Sequence, residues 1–127
     1  MYRIEVAHNQ EMAFSVKAGE SEFTVDAKGK GLTPLDALLA GLGTCVGVYI
    51  RKYAEGSKLD LRNFKVSVTA ELSREPVLCF KQISVEIDLK SPLVDERRQK
   101  ALLEFIKNCP VHNTLKAAPS IEFKLAC

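Results

Sequence analysis

The stretch TPLDALLAGLGTCVGVYI, residues 33–50, decides the fold. It opens as a helix start. Thr33 is a capping residue, Pro34 suits the first helical position, and Asp36 stands three residues after the cap, in the favourable field of the helix N-terminus. Residues 37–50 then carry no charged side chain. That run is too short to cross a bilayer, which takes about 20 residues. It is apolar on every side, so the helix is expected to be buried on every side. Gly41, Gly43 and Gly47 each cost about 1 kcal/mol relative to Ala inside a helix. The expected return is close approach by a neighbouring element. Arg51, Lys52 and Glu55 bring the helix back to water, and Gly56 ends it.

Upstream, the pattern changes to period two. Tyr2, Ile4 and Val6 alternate with Arg3 and Glu5, and apolar runs at 13–16 and 23–25 follow. Polar turns at 8–11 and 17–21 separate them, which predicts three strands. Lys28-Gly29-Lys30-Gly31 reads as a loop. Downstream, Phe64, Val66, Val68, Ala70 and Leu72 share one face, as do Ile83, Val85, Ile87 and Leu89, with a polar turn at 73–76. This predicts an antiparallel hairpin. Ser91-Pro92 opens a second helix with an apolar stripe of Leu102, Phe105 and Ile106. Cys109-Pro110 breaks it and begins a third, short helix to Leu115. Ile121, Phe123 and Leu125 predict a last strand. The order β-β-β-α-β-β-α-α-β indicates an α+β fold with antiparallel sheets, as a single domain over residues 1–127. One chain of this size cannot surround a helix that is apolar all round. A dimer whose sheets wrap two such helices is therefore expected.

Composition fits that reading. The chain has 127 residues, 46% hydrophobic and 27% charged, with a formal net charge of +2. Such values exclude a disordered chain. Lysines and arginines alternate with carboxylates, without the clustered basic excess of a nucleic-acid binder. The first residues lack the basic start and apolar core of a signal peptide, so a reducing cytoplasm is expected. Cys45, Cys79, Cys109 and Cys127 include no closely spaced pair, and His8 and His112 are far apart, so no metal site is expected.

Chemistry is sought in the thiols. Gly41-Leu42-Gly43-Thr44 fails as a dinucleotide fingerprint because Val46 stands where a third glycine belongs and no strand leads into it. Cys45 lies mid-helix on a stripe with Leu38, Leu42, Tyr49 and Lys52. By spacing alone it is a small buried hydrophobe. It sits about 18 Å from the helix start, beyond reach of its own helix dipole, so a reactive Cys45 needs a cation from another segment. Cys109 holds a cap position ahead of Pro110, where open amides favour a thiolate. His112, three residues on, is placed either to tune that thiol or as a plain surface histidine. Cys79 reads as packing and Cys127 as incidental.

Two segments together, TPLDALLAGLGTC at 33–45 and CPVHNTL at 109–115, resemble the OsmC/Ohr family, and element order and length extend the resemblance over the whole chain. The family comprises thiol-dependent peroxidases that act on organic hydroperoxides and, less well, hydrogen peroxide, as intertwined homodimers with active sites at the subunit interface. The resemblance implies Cys45 as peroxidatic nucleophile and Cys109 as resolving thiol. It also implies reset by an external dithiol, a role in oxidative stress defence, and no cofactor, metal, membrane or nucleic-acid partner. Ohr-type members carry a glutamate directly after the helix-start proline. Here that position is Leu35, and Asp36 follows as a possible orienting carboxylate. Their arginine, in the turn between the first two strands, has no counterpart at 8–11. Arg74 and Lys17 are the substitute cations. The chain thus resembles the general OsmC-like branch more than Ohr. The alternative is a non-enzymatic dimer that binds a small apolar ligand or senses oxidants through a slow thiol.

Overall fold

The structure is a computed structural model that describes residues 1–92 and 94–127. The fold is α+β with antiparallel sheets, and the chain divides into two compact units, Met1–Ala40 and Gly41–Cys127.

The first unit is a three-stranded sheet in the order β1-β2-β3, formed by β1 (Glu5–Gln10), β2 (Ala13–Ala18) and β3 (Ser21–Asp26). Strand β1 starts later than the alternation at Tyr2 and Ile4 predicts and runs through the expected turn at 8–11. The chain reverses only at Glu11, whose φ is 48°. A ladder is held by backbone hydrogen bonds, so polar residues join it where the turn allows. His8 and Gln10 are thus paired with Phe14 and Ala13 across a register shift. The β2–β3 turn needs two residues, Gly19 and Glu20, because Gly19 adopts a left-handed φ of 62° and Ala18 pairs directly with Ser21. Val16 and Val25 are the buried residues of this sheet.

Helix α1 (Pro34–Gly56) begins with a reciprocal cap. The Asp36 N–H donates to Thr33 Oγ1 and the Thr33 N–H donates to Asp36 Oδ2, both at 3.1 Å. Two otherwise orphaned amides are thereby satisfied.

The second unit packs β4 (Lys65–Ser73), β5 (Cys79–Asp88), α2 (Glu96–Phe105), a 3-10 turn (Ile106–Asn108) and α3 (Pro110–Ala117) with the body of α1. Strands β4 and β5 form an antiparallel hairpin with a register shift after Glu71. The core joins Leu42, Val46, Ile50 and Ala54 of α1 to Leu61, Val94, Leu102 and Cys109. The four α1 residues recur every fourth position and so make a single stripe. Burial on every side, expected from composition, is not found within one chain. Leu35, Leu38 and Val48 remain 42%, 41% and 50% exposed because only one flank of α1 is covered. Of the helix glycines, Gly43 admits the close approach. A Cβ there would meet Val68 of β4 at 3.0 Å, whereas one at Gly41 would meet nothing within 4 Å.

Two further expectations are corrected. Helix α2 opens not at Ser91-Pro92 but at Asp95, whose carboxylate accepts from the Arg98 N–H at 2.8 Å. An aspartate in this position out-competes the proline because it satisfies an orphan amide. Residues 119–127 form no strand, and Phe123 and Leu125 are each 92% exposed. A strand needs a neighbour for its backbone groups, and no ladder among the described residues takes this segment up. No helix among them is long and apolar enough to cross a membrane.

Candidate functional site

Cys45 and Cys109 come from elements separated by the whole hairpin, yet Cys45 packs against the core that contains Cys109 and its thiol acts electrostatically on the Cys109 thiol. Both are free thiols, Cys45 half-buried and Cys109 fully buried. Helix α1 positions the first through its core stripe, since Cys45 adjoins Val46 and stands one turn after Leu42. The break between the 3-10 turn and α3 positions the second. Pro110 occupies the first turn of α3, and Cys109 is its N-cap, with Sγ accepting the His112 N–H at 3.4 Å.

The electrostatics of Cys109 run against expectation. Open amides at a helix start favour thiolate, and the His112 and Val111 N–H groups do pull the Cys109 thiol down. Burial is the larger influence and raises it. The hydrogen bond and charge of Cys45 add to the rise, so the thiol stands above the usual range. No cation figures among the influences on Cys109.

The candidate charges each have surroundings of their own. Arg74 is exposed in the turn between β4 and β5. Lys17 is exposed on β2 in the first unit, opposite Glu5 and Glu22 in the ladder. The Arg51 guanidinium donates to the Leu61 carbonyl at 2.9 Å and pairs with Glu55 at 3.5 Å, while Lys52 sits over the Tyr49 ring at 4.7 Å. Asp36 is occupied by the helix cap. Hydrogen bonds from Thr33 hold its carboxyl below the usual carboxylate range. Cys79, expected to pack, is exposed at the start of β5, and Cys127 is exposed as well.

Sequence reasoning missed one feature. His112 presents a buried Nδ1 with no hydrogen-bond partner among the described residues. Its spacing from Cys109 hinted at a role, but only packing reveals the bare nitrogen. Among the described residues no group of three or more His, Cys, Asp or Glu side chains is arranged to hold a metal ion.

Known proteins show the same architecture. The chain is 26% identical to a hydroperoxide reductase of Mycoplasma pneumoniae, over 98% of this chain and 93% of the relative. It is similar to the crystal structure of an OsmC-like protein from the same organism. The TM-score is 0.79 and the identity 25%, over 91% of this chain and 87% of the other. An OsmC-like hydroperoxide resistance protein from Jannaschia matches with a TM-score of 0.64 and 26% identity, over 98% of this chain and 90% of the other. The family model described as OsmC-like protein matches residues 27–124, which take in both thiols and the elements that hold them, and the chain therefore belongs to the OsmC-like family.

Proposed function

We propose that this protein is a thiol-dependent peroxidase that reduces organic hydroperoxides, with hydrogen peroxide as a poorer substrate, in oxidative stress defence. The observation that carries the reading is that Cys45 and Cys109 are neighbours in one core, close enough for one thiol to act on the other, and the names of the relatives in Mycoplasma pneumoniae and Jannaschia agree with it.

In the proposed cycle the Cys45 thiolate attacks the O–O bond of the hydroperoxide. An S–O bond forms, the O–O bond breaks, and the alcohol leaves with a proton, giving a Cys45 sulfenic acid. The Cys109 sulfur then attacks the Cys45 sulfur, forming the disulfide and releasing water. An external dithiol of the cytoplasm reduces the disulfide and is itself oxidised. Neither metal nor organic cofactor enters these steps. Arg74 and Lys17 are the cations offered for activating Cys45, and Asp36 fixes the start of the helix that carries it. The working unit is a homodimer with its active sites at the interface. What supports this is the apolar surface left open on one chain, at Leu35, Leu38 and Val48 of α1 and at Ile121, Phe123 and Leu125.

Reduced protein mixed with cumene hydroperoxide and a dithiol tests the cycle. Cys45→Ser is expected to abolish turnover, and Cys109→Ser to form the sulfenic acid, trapped by dimedone, without the disulfide. Turnover by Cys45→Ser at the parental rate overturns the assignment. A second reading, a slow thiol sensor, is favoured by the raised Cys109 thiol and the lack of a cation acting on it. It predicts disulfide formation without sustained turnover in the same assay.

A further inference from the structure

The proposed cycle leaves one proton without a carrier. Cys109 is fully buried, and its thiol must lose a proton as its sulfur attacks Cys45. The second unit holds a single imidazole, His112, since the other histidine, His8, lies on β1 of the first unit. Cys109 is the N-cap of α3, and His112 is the third residue of that helix. This is the spacing of a capping box, in which the side chains of the two positions reach toward each other. Half of the box is formed, because the His112 N–H donates to Cys109 Sγ at 3.4 Å.

The other half has no backbone partner to take. The Cys109 N–H already donates to the Ile106 carbonyl at 3.0 Å. His112 Nδ1 is buried with no hydrogen-bond partner among the described residues. A buried polar atom left bare calls for a functional reason, and on a neutral ring protonated at Nε2 the bare Nδ1 is an acceptor. What remains at that cap to meet it is the Cys109 thiol. His112 also lines a groove with Leu42 and Val46, the α1 residues that flank Cys45. Of the other groups in that groove, Glu104 is held by Lys107 at 2.9 Å, and a lysine ammonium such as Lys81 or Lys116 has no lone pair to accept with. Nδ1 and Cys109 Sγ are not hydrogen-bonded before reaction. Bonds of this kind are often open in a free enzyme and tighten in the reacting complex.

We propose that His112 is the general base of the resolving step, taking the proton of the Cys109 thiol on Nδ1 and returning it to the leaving hydroxyl of Cys45. The proposal rests on the peroxidase reading and adds to it the carrier of that proton. The Cys109 S–H bond breaks and an N–H bond forms at Nδ1. The S–S bond forms as the S–O bond of the Cys45 sulfenic acid breaks, so the Cys45 sulfur is reduced and the Cys109 sulfur oxidised. The departing hydroxide takes the proton from the ring and leaves as water, and the imidazole ends the step neutral. The His112 N–H, meanwhile, stays on the sulfur and favours its thiolate. One residue thus serves the step twice, through its backbone and through its ring.

Rapid-quench mixing of reduced protein with cumene hydroperoxide separates the two steps, with Cys79 and Cys127 replaced by Ser so that the pair is read alone. Dimedone trapping gives the sulfenic acid, and intact mass gives the disulfide. His112→Asn keeps the backbone N–H and sets a polar side-chain atom where Nδ1 stands, but an amide takes no proton. It is expected to form the sulfenic acid at the parental rate and the disulfide about a hundredfold more slowly. His112→Ala is expected to show the same slow step and to recover speed when free imidazole is added, which a purely structural role for the ring would not produce. If circular dichroism shows that His112→Ala is unfolded, His112→Asn decides alone. Three results overturn this proposal and leave the peroxidase reading standing: disulfide formation by His112→Asn at the parental rate, an equal slowing of both steps, or no gain from imidazole in a folded His112→Ala. Absence of sulfenic acid in the parent overturns the peroxidase reading and this proposal with it.

Discussion

Cys109 shows how two opposed local effects are resolved by magnitude. Its sulfur caps α3, and the amides it accepts from favour the thiolate, but complete burial and the neighbouring Cys45 favour the neutral thiol and prevail. Because its pKa is raised on folding, the neutral thiol contributes stability that is fully present below the ordinary thiol range. That contribution is lost as pH rises through the higher folded value. Urea midpoints of the parent and of Cys109→Ser are therefore expected to converge or cross as pH climbs above the ordinary thiol range. A gap between them that stays constant with pH overturns this account. In the proposed cycle, the same rise would make the resolving step, which consumes the Cys109 thiolate, the one that accelerates with alkaline pH. Stopped-flow measurement of disulfide formation reads that acceleration.

At the scale of the element, α1 joins a strong start to a one-sided burial. The reciprocal cap between Thr33 and Asp36 is worth about 1 kcal/mol, so Thr33→Ala is expected to lower stability by about that amount. The depressed Asp36 carboxyl adds a pH signature. Its contribution is present above the ordinary carboxylate range and fades as pH falls below it. The glycines divide by what stands opposite them. Gly43→Leu is expected to destabilise by about 1–3 kcal/mol because Val68 already stands at 3.0 Å from a Cβ. Gly41→Ala has open space and is expected to stabilise by up to about 1 kcal/mol. Thermal melts of the two variants shifting in the same direction overturn that division.

At the scale of the whole molecule, the open apolar residues bear on assembly. Leu38 and Val48 on α1, with Ile121, Phe123 and Leu125 beyond α3, expose more apolar surface than a single chain keeps without purpose. If a second copy covers it, sedimentation equilibrium gives the mass of a dimer, and Leu38→Lys with Val48→Lys shifts the protein to monomer. Deleting residues 119–127 is expected to weaken association as well, since that segment alternates like a strand but finds no ladder among the described residues. A monomer at micromolar concentration in the parent protein removes the dimer from the proposed function.

The sequence alone determined what depends on neighbours along the chain. The capping residues of α1, the uncharged run after them, the β4–β5 alternation and the Cys109-Pro110 helix start are local patterns, set by hydrogen bonding within a turn and by side-chain periodicity. Strand ends were less legible. Backbone ladders accept polar residues, so β1 shifted past His8, and residues 119–127 kept the pattern of a strand without a partner to make them one. Tertiary structure decided everything that depends on what lies across space. It set which flank of α1 is covered and brought Cys45 and Cys109 together in one core. It made burial outweigh the helix amides at Cys109, and it left His112 Nδ1 buried without a hydrogen-bond partner among the described residues. Desolvation and packing arise between segments far apart in the chain, so no local pattern encodes them.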